Sequence, residues 1–421
     1  MRSPCAVLLW LSCSLIAQVT VQSPHVFESE HYRLHSWLGN EVSADFLLLA
    51  EGMYEQLQEH FGKAPLAGTK LEAKFWPDQA GYLLGLKADA VPEAYLNGAS
   101  FLFHSNWRVY IWSQPTTAYT RRQFVWQMAK QFLWRTITDP ERCPSWYLSG
   151  MAEEFSCHRW DGRVFQYGVH DLIDLTEPFA ALENQARSGV FDLAAVVEGR
   201  RAEDPMSSFA AVDFFLRGAD ARGQRRFADL EKQFVRGKIA KDYAETLLGR
   251  DRKALCKAAG IYVRSLRTTW QVVYNNWDAL GADPVGDSPV VTVLRTKVAP
   301  KMGGAFVAAT LDATAGSAGL VLGFRNHDDY LIVWRRPNKQ IELVQRLNGS
   351  WRSIANAQGE GEVMLRLRAE LSSDGTVTVK SGAHVLLQKQ VESVAIDGFV
   401  GLAVEAGKCR FRDVVVPDNG S

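Results

Sequence analysis

The sequence predicts an α+β domain followed by an all-β sandwich of the jelly-roll type. In the first two thirds, segments with apolar residues at helical spacing alternate with a few short strands. Residues 278–289 are rich in Gly, Pro and Asp, which predicts a linker. Beyond them, about ten short segments of alternating polarity are separated by turn signals such as Asn348-Gly349 and Asp374-Gly375. That pattern is typical of an antiparallel sandwich.

The composition excludes some classes of partner. The 421 residues allow two or three domains, each with a substantial core. Lys and Arg together number 47, as do Asp and Glu, so no charge excess indicates a nucleic-acid partner. After the first residues, no apolar run reaches the ~18 residues that a membrane-spanning helix needs. We therefore expect no nucleic-acid binding and no membrane span.

The first 23 residues have the pattern of a secretory signal peptide. Arg2 precedes an apolar run from Cys5 to Ala17, and small residues near Ser23 mark the expected cleavage site. Trp10 disfavours the alternative of lipidation at Cys13. The expected location is secreted or periplasmic, with one domain over 24–277 and the sandwich over 290–417.

The predicted elements of the first domain follow in order. A strand is expected within 28–35 and is followed by a long helix whose apolar face ends at Gly62. Then come a strand, a short helix and a hairpin. The long helix is expected over 40–61, the strand over 71–76, the short helix over 79–85, and the hairpin over 99–104 and 108–112. Further helices are expected over 206–216, 225–235, 239–248 and 251–270.

Residues 121–160 predict two helices joined by a turn. Phe124 and Met128 recur at helical spacing in the first helix. The prolines of 139–144 break the chain, and the pattern resumes over 146–155.

This helix pair resembles the active-site helices of the gluzincin metallopeptidases of the peptidase-MA-like clan. Members of that family carry His-Glu-x-x-His on the first helix. A Glu follows eighteen residues later, within a Trp-Leu-x-Glu-Gly-x-Ala-Glu-Tyr type segment. Here 126–130 (WQMAK) falls on the first motif, and Ser149, which follows the eighteen residues 131–148, falls on that Glu. Around that position, the residues that match the family segment are Trp146, Gly150, Ala152 and Glu153. The resemblance implies a zincin-like fold with a mixed sheet, the helix pair and C-terminal helices.

The chemistry of the zinc site does not match. Such a site needs two imidazole nitrogens one helical turn apart and a carboxylate. Trp126 offers only an N–H donor, Lys130 carries an ammonium, and Ser149 is a weak neutral ligand. The amide of Gln127 cannot take a proton from water as the general base does. These substitutions predict a pseudopeptidase with no metal and no cofactor.

Two acidic residues on the second helix are the remaining catalytic candidates. Glu153 and Glu154, with His158, are the groups available to a rebuilt peptidase site. The more ordinary interpretation is that one of these two glutamates belongs to the surroundings of the family motif and the other lies on a solvated helix face. An ion pair from Lys130 to either glutamate would replace the zinc as a cross-link between the helices.

Four cysteines follow the predicted signal peptide, and two of them flank the second helix. In an oxidising compartment, Cys143 and Cys157 are candidates for a disulfide that closes the turn before that helix. The alternative is a pair of buried thiols.

The C-terminal segment resembles the concanavalin A-like, laminin-G-like jelly rolls. The residues that carry this resemblance are 318–324, 328–333, 398–402 and 411–416. Members of that family range from glycan and protein binders to enzymes, so the fold alone does not fix the function. Tyr330, Trp334 and Trp351 are candidates for an aromatic platform that binds a sugar ring, and the alternative places them in the sandwich core.

Three functions remain open from the sequence. The first is an exported non-catalytic binding or scaffold protein whose ligand is a carbohydrate or an extracellular protein or peptide. The second is an enzyme that acts on a glycoside through the jelly roll. The third is a peptidase with a rebuilt site. We take the first as the main hypothesis.

Overall fold

The structure is a computed structural model, and it describes most of residues 23–417. The exceptions within that range are 67, 97, 115, 171, 173–174, 201–203, 267, 269, 273–276, 281–282, 289–290, 298, 301–304 and 360–363. The predicted signal peptide therefore lies, except for Ser23, outside the described residues. Among the helices that are described, none is both long and apolar enough to cross a membrane.

A mixed five-stranded sheet organises the N-terminal half, as the sequence predicts. Its strands are β1 (His25–Glu28), β2 (Tyr32–Ser36), β3 (Leu71–Trp76), β4 (Ser100–Phe103) and β5 (Arg108–Trp112). Their order is β1-β2-β3-β5-β4, in which β2, β3 and β5 are parallel and each edge strand is antiparallel to its neighbour. Helix α1 (Asn40–Phe61) buries Phe46, Leu49, Met53 and Leu57 in the core that covers one face of this sheet. Helix α2 (Gln79–Ala88) packs with Trp76 and Tyr110 on the other face.

The predicted helix pair is confirmed. Helix α3 (Thr117–Thr136) begins where the Thr116 hydroxyl accepts a hydrogen bond from the Tyr119 N–H at 3.2 Å. A short 3₁₀ turn at Pro140–Arg142 leads to α4 (Ser145–Ser156), and the two helices share one hydrophobic core. A two-stranded hairpin follows, made of β6 (His158–Trp160) and β7 (Phe165–Tyr167).

The described residues of this half contain six further α-helices. They are α5 (Thr176–Arg187), α6 (Leu193–Val197), α7 (Pro205–Asp213), α8 (Ala221–Val235), α9 (Tyr243–Leu248) and α10 (Arg252–Ser265). Helix α7 continues into a π-helical turn over Phe214–Gly218, a rare geometry that often accompanies functional or strained segments. The sequence did not predict α5. The helix expected over 251–270 ends at Ser265.

The C-terminal half is a sandwich of two antiparallel sheets, consistent with a jelly-roll domain. Its strands are β8 (Trp270–Val272), β9 (Trp277–Leu280), β10 (Asp283–Ser288), β11 (Thr292–Thr296), β12 (Ala305–Asp312), β13 (Ser317–Asn326), β14 (Asp329–Arg335), β15 (Gln340–Leu347), β16 (Ser350–Gln358), β17 (Met364–Leu371), β18 (Thr376–Ser381), β19 (His384–Gln390), β20 (Phe399–Glu405) and β21 (Gly407–Val415). Among the described residues each sheet has seven strands, in the orders β19-β18-β17-β12-β21-β10-β9 and β16-β15-β14-β13-β20-β11-β8.

The linker predicted over 278–289 is wrong, because its described residues lie mostly in strands of the sandwich. Strand β10 pairs with both β9 and β21, and Asp283 forms an ion pair with Arg410 of β21 at 2.5 Å. Gly286 allows close packing, since a Cβ there would lie 2.6 Å from Val404 Cγ2. Gly286 of β10 therefore allows close packing against β20 of the other sheet. The sandwich begins at Trp270 instead of residue 290.

Gly150 fixes how closely α4 and α7 pack. A Cβ at this position would lie 2.4 Å from the Ser208 carbonyl oxygen and 2.6 Å from Val212 Cγ2. Because a backbone atom cannot move aside as a side chain can, the Gly150→Ala variant should lose about 1–3 kcal/mol of unfolding free energy. Urea unfolding followed by circular dichroism at 222 nm measures the change.

Gly260→Ala is the matched control, because Gly260 lies within α10 and a Cβ added there would have nothing within 4 Å. That variant should be more stable than the parent by about 0.5–1 kcal/mol, since Ala loses less backbone entropy in a helix. Equal effects of the two substitutions would contradict the packing role of Gly150.

Candidate functional site

A cavity of about 200 Å³ lies on the outer face of one sandwich sheet. It is formed by residues on or next to β14, β15, β16 and β20, with β13 lying between β14 and β20 in the sheet. Its lining residues are Val291, Trp334, Arg336, Glu342, Val344, Trp351, Arg352, Ser353 and Glu405. Two of the three aromatic residues predicted to bind a ligand are among them.

Strand β14 explains why polar and aromatic groups reach this face. Successive side chains of a strand point to opposite faces, so Leu331 and Val333 enter the sandwich core. Ile332 and Trp334 pack in a second cluster on the opposite face. Trp334 lies directly opposite Glu342 of β15, which places a carboxylate beside the indole.

The three predicted aromatic residues differ in exposure. Tyr330 and Trp334 are 3% and 1% exposed, so the prediction that they form an open platform is wrong, and they serve as packed support. Trp351 is 44% exposed and its ring meets Tyr330 edge-on at 5.7 Å between centroids. The accessible aromatic surface at this cavity is therefore that of Trp351, which packs against the buried ring of Tyr330.

Arg336 connects the charged groups of the cavity. Its Nε lies 3.0 Å from Glu342 Oε2, and its Nη1 lies 2.5 Å from Glu405 Oε2. Nη1 also donates to Ser317 Oγ at 3.2 Å, and Ser353 Oγ donates to Glu342 Oε1 at 3.1 Å. Hydrogen bonds from a guanidinium to carboxylates are strong and directional, so these groups are held in fixed positions.

The sequence did not single out Arg336, Glu342 or Glu405. Arg336 directly follows β14, Glu342 lies on the neighbouring strand β15, and Glu405 lies on β20, which is far away in the sequence and separated from β14 in the sheet by β13. Strand β16, which contributes Trp351, was not predicted either, because most of its side chains are exposed and no apolar alternation marks it. A usable signal was the recurrence of Trp334 and Arg336 two residues apart, which places both on one face.

The positions of the degenerate zinc motif lie on α3 and α4. Lys130 Nζ lies 4.8 Å from the centroid of the Trp126 ring, one helical turn away, in a cation–π contact. Gln127 is buried and donates through Nε2 to Ser100 Oγ of the edge strand β4 at 3.2 Å. Ser149 is buried in α4. None of these four side chains offers the imidazole or carboxylate ligands of a zinc site.

The carboxylates of α4 are neutralised by arginines. Arg122 of α3 lies 3.4 Å from both oxygens of Glu153, so an ion pair does join the two helices. Glu154 instead meets Arg217 at 2.5 Å. The predicted ion pair from Lys130 to either glutamate is therefore wrong, because Arg122 and Arg217 are the cations that contact these carboxylates. Both carboxylates are at least nine-tenths buried, so neither is a solvated helix face.

Glu154 belongs to a buried polar cluster that the sequence did not reveal. Arg217 bridges Glu154 and Asp213 through its two terminal nitrogens. Asp213 also accepts from Tyr262 Oη at 2.8 Å and lies 3.1 Å from His170 Nε2. Burial and the nearby Asp213 raise the pKa of Glu154, and Arg217 opposes this shift. Glu154, His170 and Asp213 have ligand types that suit a metal, but the guanidinium already supplies a cation between the carboxylates.

The two candidate disulfide cysteines are thiols in this structure. Cys143 and Cys157 are both buried and are not bonded to each other. Burial raises the pKa of the Cys143 thiol, which keeps it protonated and unreactive. The geometry therefore agrees with the alternative of two buried thiols.

No protein-family model and no curated protein matches the chain. Solved structures are similar to about a third of it. The carbohydrate-binding module CBM66 from Bacillus subtilis is 15% identical with a TM-score of 0.32, covering 36% of this chain and 96% of that one. Galectin LEC-6 from Caenorhabditis elegans is 16% identical with a TM-score of 0.25, covering 31% and 91%. The β-glucanase from Bacillus licheniformis is 7% identical with a TM-score of 0.29, covering 36% and 92%. The gluzincin resemblance stays a prediction.

Arg217 should be essential for the stability of the helical half. In an Arg217→Met variant, the fully buried Glu154 and Asp213 lose their shared cation, which should cost about 3–5 kcal/mol of unfolding free energy. Arg222→Met is the control, because Arg222 pairs with Asp251 at the surface and should cost less than about 1 kcal/mol. Urea unfolding of both variants tests this, and equal losses would contradict it.

His158 should make the fold sensitive to acid. Burial, aided by Arg121 and Arg122, lowers the pKa of His158 to about 4 from its ordinary 6.5, although its ring also bonds the Ser156 carbonyl at 2.8 Å. Between these values the unfolded chain binds a proton that the folded chain excludes. Unfolding free energy should therefore fall as pH drops from about 6.5 to 4, by roughly 3 kcal/mol from this group.

His158→Gln removes this titration, so its stability should fall less over the same pH range than that of the parent. His25→Gln, at an exposed position of β1, is the control and should follow the parent. Denaturant titrations at pH 7, 5.5 and 4.5 provide the measurement. Parallel pH profiles for the parent and the His158 variant would refute the assignment.

Proposed function

We propose that this protein is an exported carbohydrate-binding protein. Its sandwich half binds a sugar in the cavity beside Trp351, and its α+β half is a gluzincin-like, non-catalytic scaffold. The observation that carries this proposal is the exposed Trp351 ring next to a fixed set of Arg and Glu side chains. Export rests on the signal peptide predicted for the first 23 residues.

The chemistry of the cavity suits a sugar ring. A pyranose or furanose ring has an apolar C–H surface that packs on an aromatic face, and hydroxyls that both donate and accept hydrogen bonds. Trp351 supplies the aromatic face. Glu342 and Glu405 supply acceptors at the same cavity, and the Ser353 hydroxyl oxygen, whose hydrogen is donated to Glu342, supplies a third. A volume of about 200 Å³ is below the usual range for drug-sized ligands, so it suits about one ring.

The arrangement supports binding more than glycoside hydrolysis. A glycosidase needs one carboxyl group that keeps its proton and a second that is ionised. Glu342 and Glu405 both contact the same Arg336 guanidinium, so their surroundings do not differ in the way that an acid and base pair requires. A sandwich hydrolase remains the alternative, and release of reducing sugar by the purified chain would favour it.

The α+β half supports a scaffold role more than peptide hydrolysis. Trp126 and Lys130 contact each other in a cation–π pair at the two positions where a zinc site would need imidazoles. Glu153 and Glu154, the candidates for a rebuilt site, are buried against arginines and offer no open carboxylate to a substrate. A chelator-sensitive peptidase activity would favour the alternative of a rebuilt peptidase.

Trp351→Ala tests the proposed function. Removing the exposed ring takes away the aromatic contact, so affinity for the best oligosaccharide on a glycan array should fall at least tenfold. Isothermal titration calorimetry with the purified full chain measures the loss.

Met364→Ala is the matched control. Met364 is 42% exposed on β17 in the opposite sheet, and its removal should leave affinity unchanged. If the parent chain binds no oligosaccharide on the array, or if both variants bind like the parent, the proposed site is wrong.

A further inference from the structure

The charges at the cavity cancel, and this restricts the ligand. Two arginines, Arg336 and Arg352, and two glutamates, Glu342 and Glu405, line the cavity, so the formal charges of the lining side chains sum to zero. Arg336 is the arginine that contacts the glutamates, whereas Arg352 Nη2 donates to Gln345 Oε1 at 3.2 Å. Nearby, Arg346 lies over the Trp351 ring at 5.1 Å and 3.5 Å from Asp328, which adds one further opposite pair. No excess of positive charge remains among these six side chains.

Both carboxylates already contact the guanidinium of Arg336. Nε and Nη2 both lie 3.0 Å from Glu342 Oε2, while Nη1 contacts Glu405 and Ser317. A bidentate contact to a ligand carboxylate or sulfate needs two of these nitrogens, so the ligand would have to displace one of the protein carboxylates. Such an exchange replaces one strong charge-assisted contact with another and gains little.

The acceptors, by contrast, remain accessible. The side chains of Glu342 and Glu405 are 22% and 32% exposed at the cavity. Each carboxylate offers more lone pairs than its contacts with Arg336 use. Sugar hydroxyls can donate to these oxygens, whereas an anionic group would face two like charges.

The register of the sheet holds this set in place. Glu405 lies opposite Ser317 in the β20–β13 pair, and Trp334 lies opposite Glu342 in the β14–β15 pair. Arg336 follows β14 directly, and its backbone N–H donates to the Gln340 carbonyl at 2.9 Å. The acceptors are therefore arranged before a ligand arrives, which lowers the entropic cost of binding.

From these contacts we infer that the ligand is a neutral sugar whose hydroxyls donate to Glu342 and Glu405, and that sugars carrying a carboxylate or sulfate are disfavoured. The inference rests on the proposed function of the same cavity. It goes further by assigning selectivity to two glutamates, with Arg336 as the residue that positions them.

Matched neutral and acidic sugars test the inference. The purified full chain is titrated with neutral oligosaccharides from the array, such as lactose and xylo-oligosaccharides. The acidic counterparts are sialyllactose and glucuronic acid-substituted xylo-oligosaccharides. We expect at least tenfold tighter binding of the neutral member of each pair that binds. Equal or tighter binding of the acidic member overturns the inference and leaves the proposed function intact. Absence of binding to every oligosaccharide overturns the proposed function.

Glu405→Gln examines the mechanism of selectivity. The amide keeps the shape of the side chain and removes one negative charge. Affinity for the neutral sugar should fall, and the ratio of neutral to acidic affinity should narrow about tenfold. Glu370→Gln is the control, because Glu370 also pairs with two cations, Arg368 and Lys380, but lies on the other sheet. An unchanged ratio in Glu405→Gln, with the fold intact by circular dichroism, overturns the assigned role of Glu405.

Discussion

The two-residue alternation of side chains along β14 is the constraint on which the candidate site depends. One set of side chains, Leu331 and Val333, fills the sandwich core, so the strand cannot shift its register without exposing that core. The other set, which includes Ile332 and Trp334, packs on the outer face. The same alternation places Arg336 on the cavity side. The position of the charged groups is thus fixed by the packing of apolar groups on the opposite face.

Arginine–carboxylate contacts organise the helical half in a comparable way. Arg122 joins α3 to Glu153 of α4, and Arg217 joins the turn after α7 to Glu154 of the same helix. Buried ion pairs contribute little net stability, but they are costly to break and so fix which helices meet.

Long periodic elements could be predicted from the sequence, and short or interrupted ones could not. Helix α1 was predicted with its observed bounds because apolar residues at helical spacing, such as Leu49, Met53 and Leu57, mark its buried face. Strand β10 was missed because Pro284 and Gly286 resemble a linker, although both lie within a sheet. Strand β16 was missed because its side chains are mostly exposed. Trp351 was identified from its residue type alone, whereas Arg336 and Glu405 meet only through non-local strand pairing, which a single sequence does not display.

The exposure of Trp351 has an optical consequence. The chain has 13 tryptophans, and among those that the structure describes, Trp351 is the most exposed, at 44%. A small aqueous quencher such as iodide meets that indole first, while Trp334 and the other buried rings emit from an apolar environment. A sugar seated on the ring would shield it from the quencher. Intrinsic fluorescence therefore gives the sandwich half a built-in reporter of occupancy that requires no label.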